Sequence, residues 1–317
     1  MKVIALITLL GLMTGPALAE GCWTRLADMP TARSEISVTA LGGELYVAGG
    51  IRLWGGTQKA FESYIIAEDR WVERADLPHR LHHVALAALD GKIYASGGYT
   101  SLRFTPNDPE LWAYDPHKDE WQRMADMPGP RGEHTMLSAI GKLWLFGGRG
   151  ETSQPVWSYD PVSGSWSDNY APMPTYRHSA TAIHDPQTQR VIIMGGRGDD
   201  YEPLDTVEIY HMAEDRWETA GPLPTPRAGH GAALVGRVIH LWGGETPQAD
   251  VLKSHDVLDL DTGVWKPGTA LPHGRHGIAT MGVGDGGYVI GGATSAGWRT
   301  IYSAKPWIDR YLAKPCP

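Results

Sequence analysis

Met127 to Trp166 read MPGPRGEHTMLSAIGKLWLFGGRGETSQPVWSYDPVSGSW, and the rest of the chain is made of edited copies of this stretch. It holds Pro130-Arg131, an apolar run, the doublet Gly147-Gly148, then Tyr159 and Trp166. Gly-Gly doublets begin at Gly49, Gly97, Gly147, Gly195, Gly243 and Gly291, at spacings of 48, 50, 48, 48 and 48. Tryptophans keep the same beat at Trp23, Trp71, Trp121, Trp166, Trp217 and Trp265. So do Arg33, Arg80, Arg131, Arg177, Arg227 and Arg275. Three different markers in six registered copies identify an internal repeat, and a period near 50 is that of a sheet unit stacked around or along an axis.

Each copy reads as four strands. In the third they are Thr135–Ile140, Lys142–Phe146, Val156–Tyr159 and Trp166–Asp168. The first two meet at turn signals such as Gly42-Gly43, Asp90-Gly91 and Gly141-Lys142. Both are apolar on two faces, as strands sandwiched between neighbouring sheets must be. No window has helical periodicity. The sixth copy has three strands of its own, read as Ile278–Val283, Gly287–Ile290 and Trp298–Tyr302, and carries Asp309 where its Trp belongs. At the other end, Cys22–Asp28 has the look of a fourth strand with nothing before it. Trp23 is expected to supply the missing outer strand, closing a ring of sheets that then has no open edge.

The chain has 317 residues and one repeat tiles almost all of it, so one domain is expected over residues 20–317. Residues 1–19, MKVIALITLLGLMTGPALA, read as a secretory signal peptide, with Lys2, a short apolar core and a small-x-small end at Ala17-Leu18-Ala19. The core is too short for a spanning helix, and no later stretch is a candidate membrane span. Export, to the periplasm if the source is a Gram-negative bacterium, is the expected localisation. The two cysteines, Cys22 and Cys316, flank the expected closing strands, so a disulfide between them is expected. In the loop-entropy model such a clip contributes on the order of 4–5 kcal/mol. The net charge of −8 leaves no basic footprint for a nucleic-acid partner.

These markers resemble those of the kelch family over residues 22–304. The resemblance implies an all-β, six-bladed β-propeller closed by its N-terminal outer strand. It implies little about activity, because propellers host enzymes and adaptors alike. In kelch adaptor proteins several arginines at the Pro-Arg position bind acidic peptide motifs, which makes Arg33, Arg80, Arg131, Arg177, Arg227 and Arg275 the ligand-binding candidates by resemblance.

Strand alternation puts the segment before each first strand and the loop after each Gly-Gly on one face. That face is expected to gather the six arginines with His82, His83, His134, His178, His230 and His276. The loops after Gly-Gly add Arg52, Trp54, Tyr99, Arg103, Arg149, Glu151, Arg197, Asp199, Asp200, Tyr201, Glu245, Asp250 and Trp298. The expected result is a basic, aromatic-lined mouth suited to carboxylates. The ligand-binding set is then the six arginines with His134 and His230, and the expected partner of a monomeric module is an acidic peptide, protein or glycan. No metal or cofactor is expected: adjacent His82 and His83 would point to opposite faces of a strand. A copper radical site like that of galactose oxidase, itself a kelch propeller, would need a Tyr–Cys cross-link, and both cysteines here are terminal.

The chain is also similar to the exported N-acetylneuraminate epimerase/mutarotase family. Those enzymes are thought to use a Glu following a Gly, with an Arg six residues later. Here Gly244-Glu245 matches, which makes Glu245 the catalytic candidate, whereas the position six on is Val251. Lys253 or an arginine of another blade would have to stand in. The alternative to a binding module is therefore a mutarotase or epimerase of an acidic sugar, with one group taking the anomeric proton and another serving the ring oxygen.

Overall fold

The computed structural model describes residues 21–105, 108–150, 154–248 and 250–316. The expected leader, residues 1–19, and the loop residue Glu151 lie outside them. Six four-stranded antiparallel sheets form the blades of a propeller. In blade three the strands are Thr135–Ala139, Lys142–Phe146, Trp157–Asp160 and Ser165–Ser167. The first strands of neighbouring blades touch in cyclic order, the sixth returning to the first, so they line the central axis.

The inner strands are apolar on both sides because both sides are covered. Leu143, Trp144, Leu145 and Phe146 are each 2% exposed or less. A separate apolar cluster fills each gap between neighbouring blades, such as Tyr94 and Leu111 of blade two against Leu145 and Trp157 of blade three.

The repeat markers join each blade to the segment before it. The Tyr64 hydroxyl donates to Asp69 at 2.6 Å, that carboxylate accepts the backbone N–H of Ala27 at 2.7 Å, and the Trp71 indole donates to the Ala27 carbonyl at 2.7 Å. Tyr114, Asp119, Trp121 and Ala75 repeat the arrangement, as do Tyr210, Asp215, Trp217 and Ala171. The doublets are glycine because the chain turns there with φ of 62° at Gly147 and 99° at Gly148. A Cβ on Gly147 would stand 2.6 Å from the Arg177 carbonyl of the next blade.

Closure follows the expectation for Trp23 and corrects the reading of the last blade. Cys22–Arg25 is the outer strand beside Ile308–Leu312, with Trp23 opposite Tyr311. The third strand of blade six is therefore Ile308–Leu312, whereas Gly297–Tyr302 is a 3₁₀ helix on the face expected to hold the mouth. Asp309 is part of that third strand and does not occupy the place of a lost Trp. A disulfide joins Cys22 to Cys316, with Cα atoms 4.9 Å apart. Among the described residues no helix is long and apolar enough to cross a membrane.

Candidate functional site

One backbone position defines the periodic arginines. The second glycine of each doublet donates its N–H to the carbonyl of Arg131, Arg177, Arg227, Arg275 and Arg33 at 2.9 Å, and to Leu81 at 2.8 Å. Blade two therefore carries Leu81 at this position. Arg80 is displaced by one residue and exposed, with a single long contact of 3.5 Å to the Thr57 carbonyl. The other five arginines are at most 1% exposed. Four are held by a carboxylate on the third strand of their own blade: Arg33 by Glu62 at 2.7 Å, Arg177 by Glu208 at 2.7 Å, Arg227 by Asp256 at 2.5 Å and Arg275 by Asp309 at 2.6 Å. The Arg131 guanidinium lies 3.5 Å over the Trp157 ring instead. These side chains point into the blades and do not form the basic mouth expected of them. His134 and His230 are buried as well, against Ser96 at 2.8 Å and Thr181 at 3.0 Å, and burial drives both imidazoles down to about 3.

Two residues after that position the chain turns through the left-handed region in every blade. Glu35, His83, Glu133, Ser179, Gly229 and Gly277 have φ of 53°, 54°, 57°, 52°, 59° and 58°. Their backbones link head to tail around the axis at every step but that from His83 to Glu133: Gly277 O accepts from Glu35 N at 2.8 Å, and Glu35 O from His83 N at 3.0 Å. Glu133 O accepts from Ser179 N at 3.0 Å, Ser179 O from Gly229 N at 3.2 Å, and Gly229 O from Gly277 N at 2.8 Å. This hoop lies between a central tunnel of about 490 Å³ lined by the first strands and an outer cavity of about 260 Å³. The left-handed turn costs a residue with a Cβ about 1–2 kcal/mol, yet four blades place a polar side chain there.

The outer cavity is the candidate site. The floor carries Glu35, His83, Glu133 and Ser179. Glu35 and His83 form an ion pair at 3.0 Å. Burial alone would raise the Glu35 carboxyl, but the charge and hydrogen bond of His83, helped by His276, outweigh it and hold the pKa at about 2. Burial lowers His83, but Glu35 overcomes this and raises the imidazole above its ordinary value. Glu133 accepts from Tyr99 Oη at 2.9 Å and Ser179 Oγ at 2.5 Å and also meets His178 Nδ1. Against the cost of burial, the hydrogen bond and charge of His178, the charge of His83 and the Ser179 hydrogen bond hold its carboxyl well below the usual range. His82 and His83, expected on opposite faces of a strand, instead bring their Nδ1 atoms within 2.6 Å of each other.

The walls divide by chemistry. Arg149, Arg197, Tyr201 and Glu245 are polar; Ile51, Leu102, Phe104, Trp298 and Ile301 are apolar. Glu245 is paired with Arg197, which occupies the same place in the preceding blade, 48 residues earlier. The guanidinium missing at Val251 thus arrives from blade four. His276 sends Nε2 to the Ser295 carbonyl at 2.9 Å, leaving Nδ1 3.9 Å from Glu245 and 3.8 Å from Glu35. Arg149 donates to the Tyr201 hydroxyl at 2.9 Å. With three carboxylates, Glu35, Glu133 and Glu245, set against two guanidinium groups, Arg149 and Arg197, the cavity is mixed in charge where a basic one was expected.

Of the expected loop residues, Arg149, Arg197, Tyr201, Glu245 and Trp298 do line the cavity, with Tyr99 behind Glu133. Arg52, Arg103, Asp199, Asp200 and Asp250 stand exposed outside it. Glu35, Glu133, Ser179, Leu102 and Phe104 were not expected. The first three share one offset from the periodic position, and that offset was the signal that could have found them.

The Attractin/LZTR1 beta-propeller family model matches residues 93–297. Kelch-like protein 35 of Mus musculus is 25% identical over 213 residues, which cover 66% of this chain and 36% of that protein. Kelch-like protein 34 of Homo sapiens is 30% identical over 185 residues, covering 52% and 28%. Alpha-scruin of Limulus polyphemus is 29% identical over 197 residues, covering 58% and 21%. The chain thus spans between a fifth and two fifths of the length of these relatives. A solved structure described as "Structure of YjhT" superposes with a TM-score of 0.75 at 16% identity, covering 88% of this chain and 95% of that one, a likeness of fold.

Proposed function

Because the chain belongs to the Attractin/LZTR1 beta-propeller family and is a kelch-repeat propeller, we propose that it is a binding module whose outer cavity takes a sugar-sized, hydroxyl-rich ligand bearing a carboxylate. The observation that carries this is the mixed wall of Arg149, Arg197, Tyr201 and Glu245 facing an apolar wall. A sugar hydroxyl donates and accepts at once, so it pairs with carboxylates and guanidinium groups alike. Two arginines offer the ligand's carboxylate charge-assisted hydrogen bonds. The Cys22–Cys316 disulfide supports an exported protein as part of the same reading.

A second reading is favoured by the meeting of Glu245, Arg197 and His276. A carboxylate beside a guanidinium and an imidazole has the parts to take a proton from an anomeric hydroxyl and give one to a ring oxygen, which is mutarotation. Proton NMR of freshly dissolved α-N-acetylneuraminate, with and without the protein, tests both. Selective line broadening at an unchanged rate supports the binding module. Faster approach to anomeric equilibrium, lost in Glu245→Gln, supports the mutarotase. Unchanged lines and rate would overturn the mutarotase and exclude N-acetylneuraminate as the pocket's ligand.

A further inference from the structure

Four aromatic side chains stand largely in solvent among the described residues: Trp54 at 76%, Trp298 at 77%, Tyr302 at 61% and Tyr201 at 54%. All four lie in segments after a Gly-Gly doublet, on the face of the outer cavity. The other large exposed apolar residues, Ile140 and Val162 in turns and Val264 at the start of a fourth strand, lie on the opposite face. Trp298 lines the cavity itself. Trp54 and Tyr302 form an edge-to-face pair with ring centres 5.7 Å apart, and the Trp54 N–H donates to the carbonyl of the cavity residue Ile301 at 2.6 Å. The pair therefore continues the apolar wall outward, across the seam between blades six and one.

The backbone gives a second, independent sign. Trp54 is held at φ 69°, Phe104 at 53° and Tyr201 at 64°. A bulky aromatic pays about 1–2 kcal/mol to sit in this region, and Gly55 and Gly56 next to Trp54 would do so freely. Strain of this kind at a solvent-exposed side chain points to a use for its position.

We propose that the cavity receives the terminal residue of an acidic oligosaccharide and that Trp54, Tyr302 and Trp298 form the platform for the sugars behind it. The inference rests on the sugar-pocket reading above. A volume of about 260 Å³ suits one sugar ring and not a chain. The floor of Glu35 with His83 and Glu133 with Ser179 leaves the open face as the way in. A chain entering end-on must leave across the rim, where aromatic faces meet the positively polarised C–H face of a pyranose.

Isothermal titration of matched pairs tests this: N-acetylneuraminate with 3′-sialyllactose, and galacturonate with trigalacturonate. For the pair that binds, the trisaccharide is expected to bind at least about tenfold more tightly, the change produced by about 1.4 kcal/mol. Trp54→Ala and Tyr302→Ala, both at exposed sites, are expected to remove that advantage while leaving monosaccharide affinity unchanged. Equal affinity for both members of a pair, or an advantage that survives both variants, overturns the platform and leaves the pocket standing. Failure of both pairs to bind overturns the platform together with the pocket.

Discussion

Two positions of the repeat, separated by two residues, behave in opposite ways. At the first, five blades carry the same arginine, fully buried and held by its own blade. At the second, the six blades carry Glu35, His83, Glu133, Ser179, Gly229 and Gly277 on a backbone that hardly changes. What is uniform holds the blades together, and what varies on a uniform backbone lines the candidate site. Even the exceptions at the first position remain structural. Trp157 stands where other blades have the carboxylate partner, and Arg131 stacks on it; Leu81 replaces the arginine and joins the apolar cluster between blades one and two.

The largest effect is expected at the uniform position. Arg33→Met leaves the buried Glu62 carboxylate without its partner and should cost about 3–5 kcal/mol in chemical denaturation, with Arg33→Met/Glu62→Leu recovering most of it. Loss of ligand binding at unchanged stability would break the comparison. An intermediate effect, dependent on pH, is expected at Glu35. Its folded pKa of about 2 lies below the ordinary 4.5, so its stabilisation is fully present above pH 4.5 and is lost as pH falls towards 2. His83 is shifted upward, so its share is fully present below 6.5 and is lost as pH rises through its folded pKa. The pair is therefore strongest between 4.5 and 6.5. Glu35→Gln should remove on the order of 3 kcal/mol of pH-dependent stability across the acid window. Denaturation midpoints measured against pH check this, and a curve parallel to that of the unaltered protein would contradict it. The smallest effect on stability is expected at Glu245 and Arg197, which form a partly exposed pair. Glu245→Gln and Arg197→Met should each change stability by less than about 1 kcal/mol while weakening ligand binding at least about tenfold.

Much of the fold was legible because its markers repeat and each has a mechanical task. Tyr64, Asp69 and Trp71 recur with their hydrogen bonds, and Trp23 closes blade six because Tyr311 is there to meet it. Reading failed where one blade departs from the rest. Arg80 sits next to the periodic position and hides the fact that Leu81 occupies it. Trp298 and Tyr302 have strand-like composition but belong to an inserted turn of 3₁₀ helix. Half of the site was legible, namely the loop residues after the doublets, because strand alternation alone puts them on one face. The floor was not, since Glu35, His83, Glu133 and Ser179 share a backbone conformation and no chemistry. The contact between Arg197 and Glu245 spans one repeat, so the period itself pairs them, and a search confined to one loop could not find it.

The closing strand has a consequence for biosynthesis. Cys22–Arg25 is synthesised nearly 290 residues before its partner Ile308–Leu312. At about 5–20 residues per second the early strand waits roughly 15–60 s for its place. Five blades have all their own strands, while the sixth is completed only once Ile308–Leu312 has joined Cys22–Arg25. Until those two strands meet, the folding chain is an open arc with an unpaired edge at each end, and it is in this interval, not after closure, that the protein is most exposed to mispairing with its neighbours.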